Sequence, residues 1–121
     1  MALKMVIQGD SWSLLDDGVT VLTVKEPDDE KETVLSVSGS LRSDTVLYFK
    51  DELAALATMG ADVVLDFSEL KYISNACQQA LLTTQQQMDS LNKGSLTLRN
   101  VPKEIYKEFE RINLHELLMI E

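Results

Sequence analysis

Residues 63–82 read VVLDFSELKYISNACQQALL and contain a strand, a turn and the start of a helix. The short apolar run Val63–Phe67 is typical of a strand buried on both faces of a sheet. Ser74 or Asn75 then offers a side-chain oxygen that can begin a helix. Apolar and small residues recur along that helix at the spacing of one buried face: Cys77, Ala80, Leu81, Thr84, Met88 and Leu91. This order predicts an α/β fold.

The same alternation of strand and helix patterns extends on both sides of this stretch. We predict strands at Val19–Val24, Thr33–Ser38, Val63–Phe67 and Ser95–Arg99, and helices over about 44–58, 76–92 and 102–112. The acidic segment Glu26–Glu32 is interpreted as a solvated hairpin loop, and Leu117–Ile120 as a candidate edge strand. The predicted fold is therefore α/β, with a mixed sheet of four to five strands and three main helices.

The chain is divided into an N-terminal extension, residues 1–18, and one domain, residues 19–121. The extension is interpreted as an extra strand or hairpin of the sheet. Within the domain, eight side chains are predicted to be buried in the core: Val64, Leu65, Phe67, Leu81, Leu98, Ile105, Phe109 and Leu114.

Composition argues against several classes of function. The 121 residues carry 20 acidic and 11 basic side chains, a net charge of −9, which argues against nucleic acid as a partner. No run of about 18 apolar residues is present, so no membrane span is predicted. The single cysteine, Cys77, indicates a reduced, cytoplasmic setting. No catalytic, phosphate-loop or metal-ligand pattern is present, so no enzyme, cofactor or metal is predicted.

Three blocks of sequence resemble a STAS domain, the fold shared by bacterial anti-sigma factor antagonists and the cytoplasmic tails of sulfate transporters. Residues 34–53, VLSVSGSLRSDTVLYFKDEL, are similar to the family's second strand, Gly-turn and first helix. Residues 63–82 are similar to its buried strand and switch helix. Residues 95–120, SLTLRNVPKEIYKEFERINLHELLMI, are similar to its closing unit. The resemblance implies a non-enzymatic protein-binding module in bacterial regulatory signalling.

The turn before the switch helix departs from the phospho-regulated members of that family. Those members read Asp, Ser, Ser or Thr, Gly, whereas this chain reads Ser74, Asn75, Ala76, Cys77. Asn75 takes the place of the phosphorylated serine and has no hydroxyl, and Arg42 stands where such members carry an acid. Ser74 is the nearest hydroxyl and so the candidate substitute phospho-acceptor. The resemblance therefore implies constitutive binding of the partner.

The resemblance also implies a partner-binding surface, made by the Gly-turn and the start of the switch helix: Ser40, Arg42, Ser74, Asn75, Ala76, Gln78 and Gln79. Several of these residues have structural interpretations as well. Asn75 is a good N-cap, with Gln78 as the reciprocal partner of a capping box, and Ser74 can equally precede or cap the helix.

Three further features lie in or near the switch helix. Gln78, Gln79, Gln85 and Gln86 are predicted on the outer face, either as a solvated surface or as an uncharged docking surface. Cys77 falls on the apolar stripe and is predicted to be core rather than reactive. Asp66 is predicted to end its strand and bind backbone N–H groups of the following turn.

The predicted partner is a protein, either an anti-sigma factor kinase or another STAS protein, and homodimer formation is left open. One alternative is a small-ligand module for nucleotide or lipid, because a helix N-terminus beside a Gly-turn can host a phosphate. The net charge of −9 works against that alternative. A second alternative is a scaffold subunit of a larger STAS complex.

Overall fold

The computed structural model describes residues 3–25, 33–60 and 62–121. Its strands are β1 (Leu3–Gln8), β2 (Ser11–Asp16), β3 (Val19–Lys25), β4 (Thr33–Leu41), β5 (Asp62–Asp66), β6 (Leu70–Ile73), β7 (Ser95–Arg99) and β8 (Met119–Ile120). Its helices are α1 (Val46–Met59), α2 (Asn75–Leu91) and α3 (Lys103–Arg111). Short 3-10 turns at Ser43–Thr45 and Leu114–Glu116 precede α1 and β8. The four predicted strands and three predicted helices are confirmed within a few residues.

The strands of the described ranges form one eight-stranded sheet in the order β1-β2-β3-β4-β5-β7-β8, with β6 paired to the end of β4. The expectation of four to five strands is therefore wrong. β1 to β4 run antiparallel, whereas β4, β5, β7 and β8 are mutually parallel. The count was too low because it left out the hairpin strands β1 and β2 and also β6, whose four residues are too few to show an alternating pattern. β8 falls within the candidate edge strand Leu117–Ile120.

The first two strands form a hairpin that extends the sheet beyond β3. Two-residue turns, Gly9-Asp10 and Asp17-Gly18, join β1 to β2 and β2 to β3. Trp12 and Leu14 on β2 are buried, so this hairpin contributes to the hydrophobic core. The acidic loop predicted at Glu26–Glu32 lies outside the described residues.

The predicted core is confirmed at seven of its eight positions. Leu65, Phe67, Leu81, Leu98, Ile105, Phe109 and Leu114 are all buried. Val64 is only half-buried, because alternate residues of a strand point to opposite faces of the sheet. Its neighbours on that face, Val34 and Thr97, are half-buried as well. The expectation that this strand is buried on both faces is therefore wrong, since β5 is fully buried on one face only.

The helix boundaries follow local capping residues. α1 begins at Val46 rather than at residue 44, because Ser43–Thr45 form a 3-10 turn first. It ends at Gly60, which has the left-handed conformation favoured at this position. Asn92, also left-handed, ends α2. Pro102 precedes α3, where its missing N–H costs nothing.

Candidate functional site

The carboxyl ends of β4 and β6 bring the two predicted contact loops together. The two strands are parallel, with Ser40 opposite Tyr72 and Leu41 opposite Ile73. The backbone N–H of Ser74 donates a hydrogen bond to the Leu41 carbonyl at 2.8 Å. Parallel strands end at the same edge of a sheet. The end of β4 and the residue after it, residues 39–42, which we call the Gly-turn, therefore lie directly beside the start of α2.

Arg42 is the charged residue of the Gly-turn, and two aspartates hold it. Its Nε donates to Asp44 Oδ1 at 2.9 Å, its Nη2 donates to Asp16 Oδ2 at 3.1 Å, and Nη2 also contacts Asp44 Oδ2. Asp44 first, and Asp16 second, raise the pKa of Arg42 above its ordinary value. Arg42 in turn lowers the pKa of Asp44. The guanidinium charge is therefore balanced within the chain, in part by the last residue of β2.

Ser74, not Asn75, is the N-cap of α2. Its Oγ accepts a hydrogen bond from the Cys77 N–H at 3.2 Å, and its backbone is extended, with φ −75° and ψ 161°. The hydrogen bond to the Leu41 carbonyl keeps Ser74 aligned with β4, so the helix begins one residue later. The interpretation of Asn75 as the N-cap is therefore wrong. Ser74 is 2% exposed, so its hydroxyl is buried as well as bonded.

Asn75 lies at the first helical position of α2, and its side chain is exposed. Its Oδ1 accepts a hydrogen bond from Arg111 Nη2 at 3.2 Å, and the same Nη2 bonds Glu108 at 2.8 Å. The end of α3 therefore lies beside the start of α2. Arg111 was not selected from the sequence, because nothing in a charged helix end indicates which distant loop it meets.

Gln78 is fully buried, and its Nε2 donates to the Ile73 carbonyl at 3.4 Å. Both predictions for it are wrong: it does not lie on the outer face, and it does not form a capping box with Asn75. Ala76 and Gln79, by contrast, are exposed. The solvent-facing part of the α2 start therefore consists of Asn75, Ala76 and Gln79, all of which are uncharged. We call these three residues the α2 tip.

Gln85 is also removed from the free outer face of α2. Its Nε2 donates to the Leu117 carbonyl, and its Oε1 accepts from the Met119 N–H at 3.2 Å. This one side chain attaches the C-terminal segment to α2, because it donates a hydrogen bond to one backbone group of that segment and accepts one from another. Gln86 stays exposed, as predicted.

Cys77 is a core residue, as predicted. It is fully buried, and its Sγ lies 3.6 Å from the Arg42 carbonyl and 3.9 Å from Thr45 Oγ1. Burial raises the pKa of the Cys77 thiol, because the thiolate would lose its hydration. A buried and protonated thiol is a poor nucleophile, which favours packing over chemistry at this position.

Asp66 organises the turn that leads from β5 into β6. Its Oδ1 accepts from the Ser68 N–H at 2.9 Å, and both of its carboxylate oxygens lie 3.4 Å from Asn100 Nδ2. Burial alone would raise the pKa of Asp66, but these hydrogen bonds outweigh it and lower the pKa. The predicted structural role of Asp66 is confirmed. The turn that it stabilises leads into β6 and then to the α2 tip.

Two exposed apolar side chains near the α2 tip were not selected from the sequence. Tyr72 on β6, two residues before Ser74, is 52% exposed. Leu47, in the first turn of α1, is 70% exposed and follows the 3-10 turn that packs against α2. The signal that could have identified Tyr72 is its place on a short strand between two apolar residues, Leu70 and Ile73, both of which are buried. Exposed apolar side chains beside an uncharged helix end are typical of a contact surface.

The described residues offer no arrangement suited to a bound metal, because no group of three or more His, Cys, Asp or Glu side chains converges among them. Likewise, none of the helices in the described ranges is long and apolar enough to cross a membrane.

The fold resembles solved structures of anti-sigma factor antagonists. The unphosphorylated form of SpoIIAA has a TM-score of 0.65 and 16% identity, covering 84% of this chain and 88% of that one. The phosphorylated form of the Bacillus cell fate determinant SpoIIAA has a TM-score of 0.61, 16% identity and coverage of 84% and 91%. An anti-sigma factor antagonist from Mycobacterium paratuberculosis has a TM-score of 0.68, 16% identity and coverage of 82% and 84%.

Sequence comparison places the chain in a family. The family described as "Mlab, STAS domain" matches residues 24–121, which is most of the chain. A comparison with curated protein sequences finds no match. The chain therefore belongs to the STAS-domain family, and its fold is the one that anti-sigma factor antagonists adopt.

Proposed function

We propose that this protein is a non-enzymatic protein-binding module of bacterial cytoplasmic signalling, similar to an anti-sigma factor antagonist. Its proposed partner is an anti-sigma factor kinase or another STAS protein. The observation that carries the proposal is the α2 tip, an exposed helix start whose own side chains carry no charge, three residues after the exposed Tyr72. An uncharged surface with an aromatic neighbour loses little hydration energy when a partner covers it.

The proposed contact surface consists of the α2 tip together with Tyr72 and the Gly-turn. Ser40 and Arg42 flank the tip because β4 and β6 are paired in parallel. Arg42 already forms ion pairs with Asp16 and Asp44, so it acts mainly by shaping the Gly-turn. Ser74 and Gln78 support the tip from beneath, since both are buried.

We further propose that partner binding is constitutive. The position of the usual phosphorylated serine holds Asn75, and a carboxamide cannot accept a phosphoryl group. Ser74 is the alternative acceptor, but its hydroxyl is 2% exposed and already bonded to the first turn of α2. A kinase would have to unfold that turn to reach it, which supports a surface without a phosphate switch.

The substitution Asn75→Asp tests the contact surface. It places a negative charge at the first position of α2, where the helix dipole and Arg111 favour it, so the fold should not weaken. A partner must desolvate that charge, so its affinity should fall by at least about tenfold, or about 1.4 kcal/mol. Isothermal titration with an anti-sigma factor kinase of the same host measures the affinity.

The matched control is Gln86→Glu, which adds the same charge to an exposed position in the middle of α2. The affinity of this variant should stay within about twofold of wild type, because Gln86 lies about three helical turns after Asn75, outside the proposed contact surface. Equal affinities for wild type and Asn75→Asp would contradict the proposed surface. Absence of binding by wild type to any anti-sigma factor kinase or STAS protein of that host would overturn the proposed partner class.

Phosphorylation is tested separately, by intact mass after incubation with that kinase and ATP. The wild-type chain should keep its mass, because Asn75 has no hydroxyl and the Ser74 hydroxyl is buried. A close relative with the usual serine serves as the positive control and should gain one phosphate. One phosphate on the wild-type chain, mapped to Ser74, would show that the switch has moved by one residue, and constitutive binding would be wrong.

A further inference from the structure

β1 is the terminal strand of the sheet and exposes apolar side chains. Among the described residues it pairs with β2 alone, so no strand of the described ranges lies along its other backbone edge. On β1, Ile7 is 72% exposed and Met5 is 40% exposed. Both lie opposite residues of β2 that are buried, Trp12 and Leu14, and therefore point to the core side of the sheet. A strand edge of this kind is a template for pairing with another strand.

The hairpin turn determines which backbone groups face the free edge. A two-residue loop makes Gln8 and Ser11 the hydrogen-bonded closing pair, and such pairs alternate along an antiparallel ladder. The pairing of β1 with β2 has no register shift, so Lys4 and Val6 also bond to β2. The N–H and C=O groups of Met5 and Ile7 therefore point away from β2, toward the free edge. Their side chains are the exposed apolar ones.

The occupant of this edge must be an extended strand, and charge favours a second copy of the same chain. The chain carries a net charge of −9, so most pairs of its surfaces repel one another. β1 has no acidic residue and one basic residue, Lys4. It is thus a segment where two copies meet without opposing carboxylates. The opposite edge strand, β8, has only the two residues Met119 and Ile120 and offers a far shorter ladder.

We propose that two copies of this protein associate through β1, antiparallel and related by a two-fold axis, so that their sheets become continuous. The register centres on Val6, which pairs with Val6 of the second copy. Met5 then lies opposite Ile7, so exposed apolar side chains cover one another, and Lys4 lies opposite Gln8, so no like charges meet. The two Met5–Ile7 pairs exchange about four backbone hydrogen bonds. This dimer is independent of the α2 tip, which lies beside β4 and β6.

The oligomeric state of the protein tests whether two copies pair through β1. Sedimentation velocity over a concentration series should show wild type shifting from one chain of 13.6 kDa to two. Ile7→Lys should lower the association constant by at least about tenfold, since an edge lysine opposes strand pairing. Its control is Met59→Lys, which places a lysine at an equally exposed position at the end of α1. Dimers that survive Ile7→Lys, or a wild type that stays monomeric throughout, would overturn the proposal.

Disulfide trapping tests the register and does not depend on the lysine variant. The two Val6 residues form a pair without backbone hydrogen bonds, with Cα atoms about 4.5 Å apart, close enough for a disulfide. Val6→Cys should therefore oxidise to a covalent dimer on non-reducing gels. Met5→Cys should not, because its two copies are diagonal neighbours at about 7–8 Å. Cys77 is buried and leaves the background low.

Met59→Cys measures cross-linking by random collision, because this position is 76% exposed at the end of α1. The Val6→Cys dimer should form at least about tenfold faster than the Met59→Cys dimer, since pairing brings the two thiols together before oxidation. Equal rates for the two variants, or cross-linking at Met5→Cys instead of Val6→Cys, would overturn the proposed register and the two-fold axis through Val6.

Discussion

Leu65→Ala should lower the free energy of unfolding by about 2–5 kcal/mol, measured by urea denaturation. Leu65 is fully buried on β5, with Leu35 of β4 and Leu98 of β7 beside it in register, and both of these are also buried. Removal of its side chain leaves a cavity in the middle of the sheet, where rigid strands on both sides limit relaxation. The parallel centre of the sheet is therefore the part most sensitive to truncation.

The matched control is Val64→Ala, one residue earlier on the same strand. Val64 is half-buried between Val34 and Thr97 on the opposite face of the sheet, so its truncation should cost only about 1 kcal/mol. A loss below about 1 kcal/mol for Leu65→Ala would contradict the central position of β5. Equal losses for the two variants would contradict the division between a buried face and an open one.

Gly39→Ala should lower the free energy of unfolding by about 3 kcal/mol or more. Gly39 has φ +100°, a conformation that side chains disfavour. A Cβ at this position would overlap the carbonyl oxygen of Val21 and lie 3.1 Å from its carbonyl carbon and 3.3 Å from the Cα of Leu22. Because these atoms are backbone of the adjacent strand β3, no side-chain rotation relieves the clash, and β3 must separate from β4.

Gly60→Ala is the control that measures the cost of a positive φ without the steric clash. Gly60 also has positive φ, +69°, but a Cβ there meets only the Lys93 side chain at 3.6 and 3.7 Å. Its substitution should therefore cost about 1–2 kcal/mol. If Gly39→Ala cost no more than Gly60→Ala, the close approach of β3 to β4 would be contradicted. Gly39 directly precedes Ser40, so the larger distortion should also reduce binding at the proposed contact surface.

Periodicity was sufficient for the long elements of the fold and insufficient for the short ones. The three helices and the strands β3, β4, β5 and β7 each show a repeat over at least five residues, and all were predicted. β8 falls within the candidate edge strand Leu117–Ile120, but β6 was not predicted, because its four residues are stabilised by pairing with β4, a long-range property that no local pattern contains. The extra strands explain why the sheet is larger than expected.

The candidate site was predictable as two loops but not as a surface. Resemblance to the STAS family indicated the Gly-turn and the switch-helix start, and parallel pairing of β4 with β6 places them together. The polarity of Gln78 and Gln85 indicated solvent, yet one amide bonds the Ile73 carbonyl in the core and the other holds the C-terminal segment. Side-chain polarity does not reveal whether a buried backbone group is available as a hydrogen-bond partner.

By itself, the amino-acid sequence determined the α/β class, the helices and most of the core. These features depend on local periodicity, capping and residue chemistry, which act over a few positions. Only the tertiary structure decided that Ser74 rather than Asn75 caps α2, since both side chains are good caps. The bond from Ser74 N–H to the Leu41 carbonyl, 33 residues earlier, selects between them. Contacts between distant segments, such as Arg42 with Asp16, arise only when the sheet assembles.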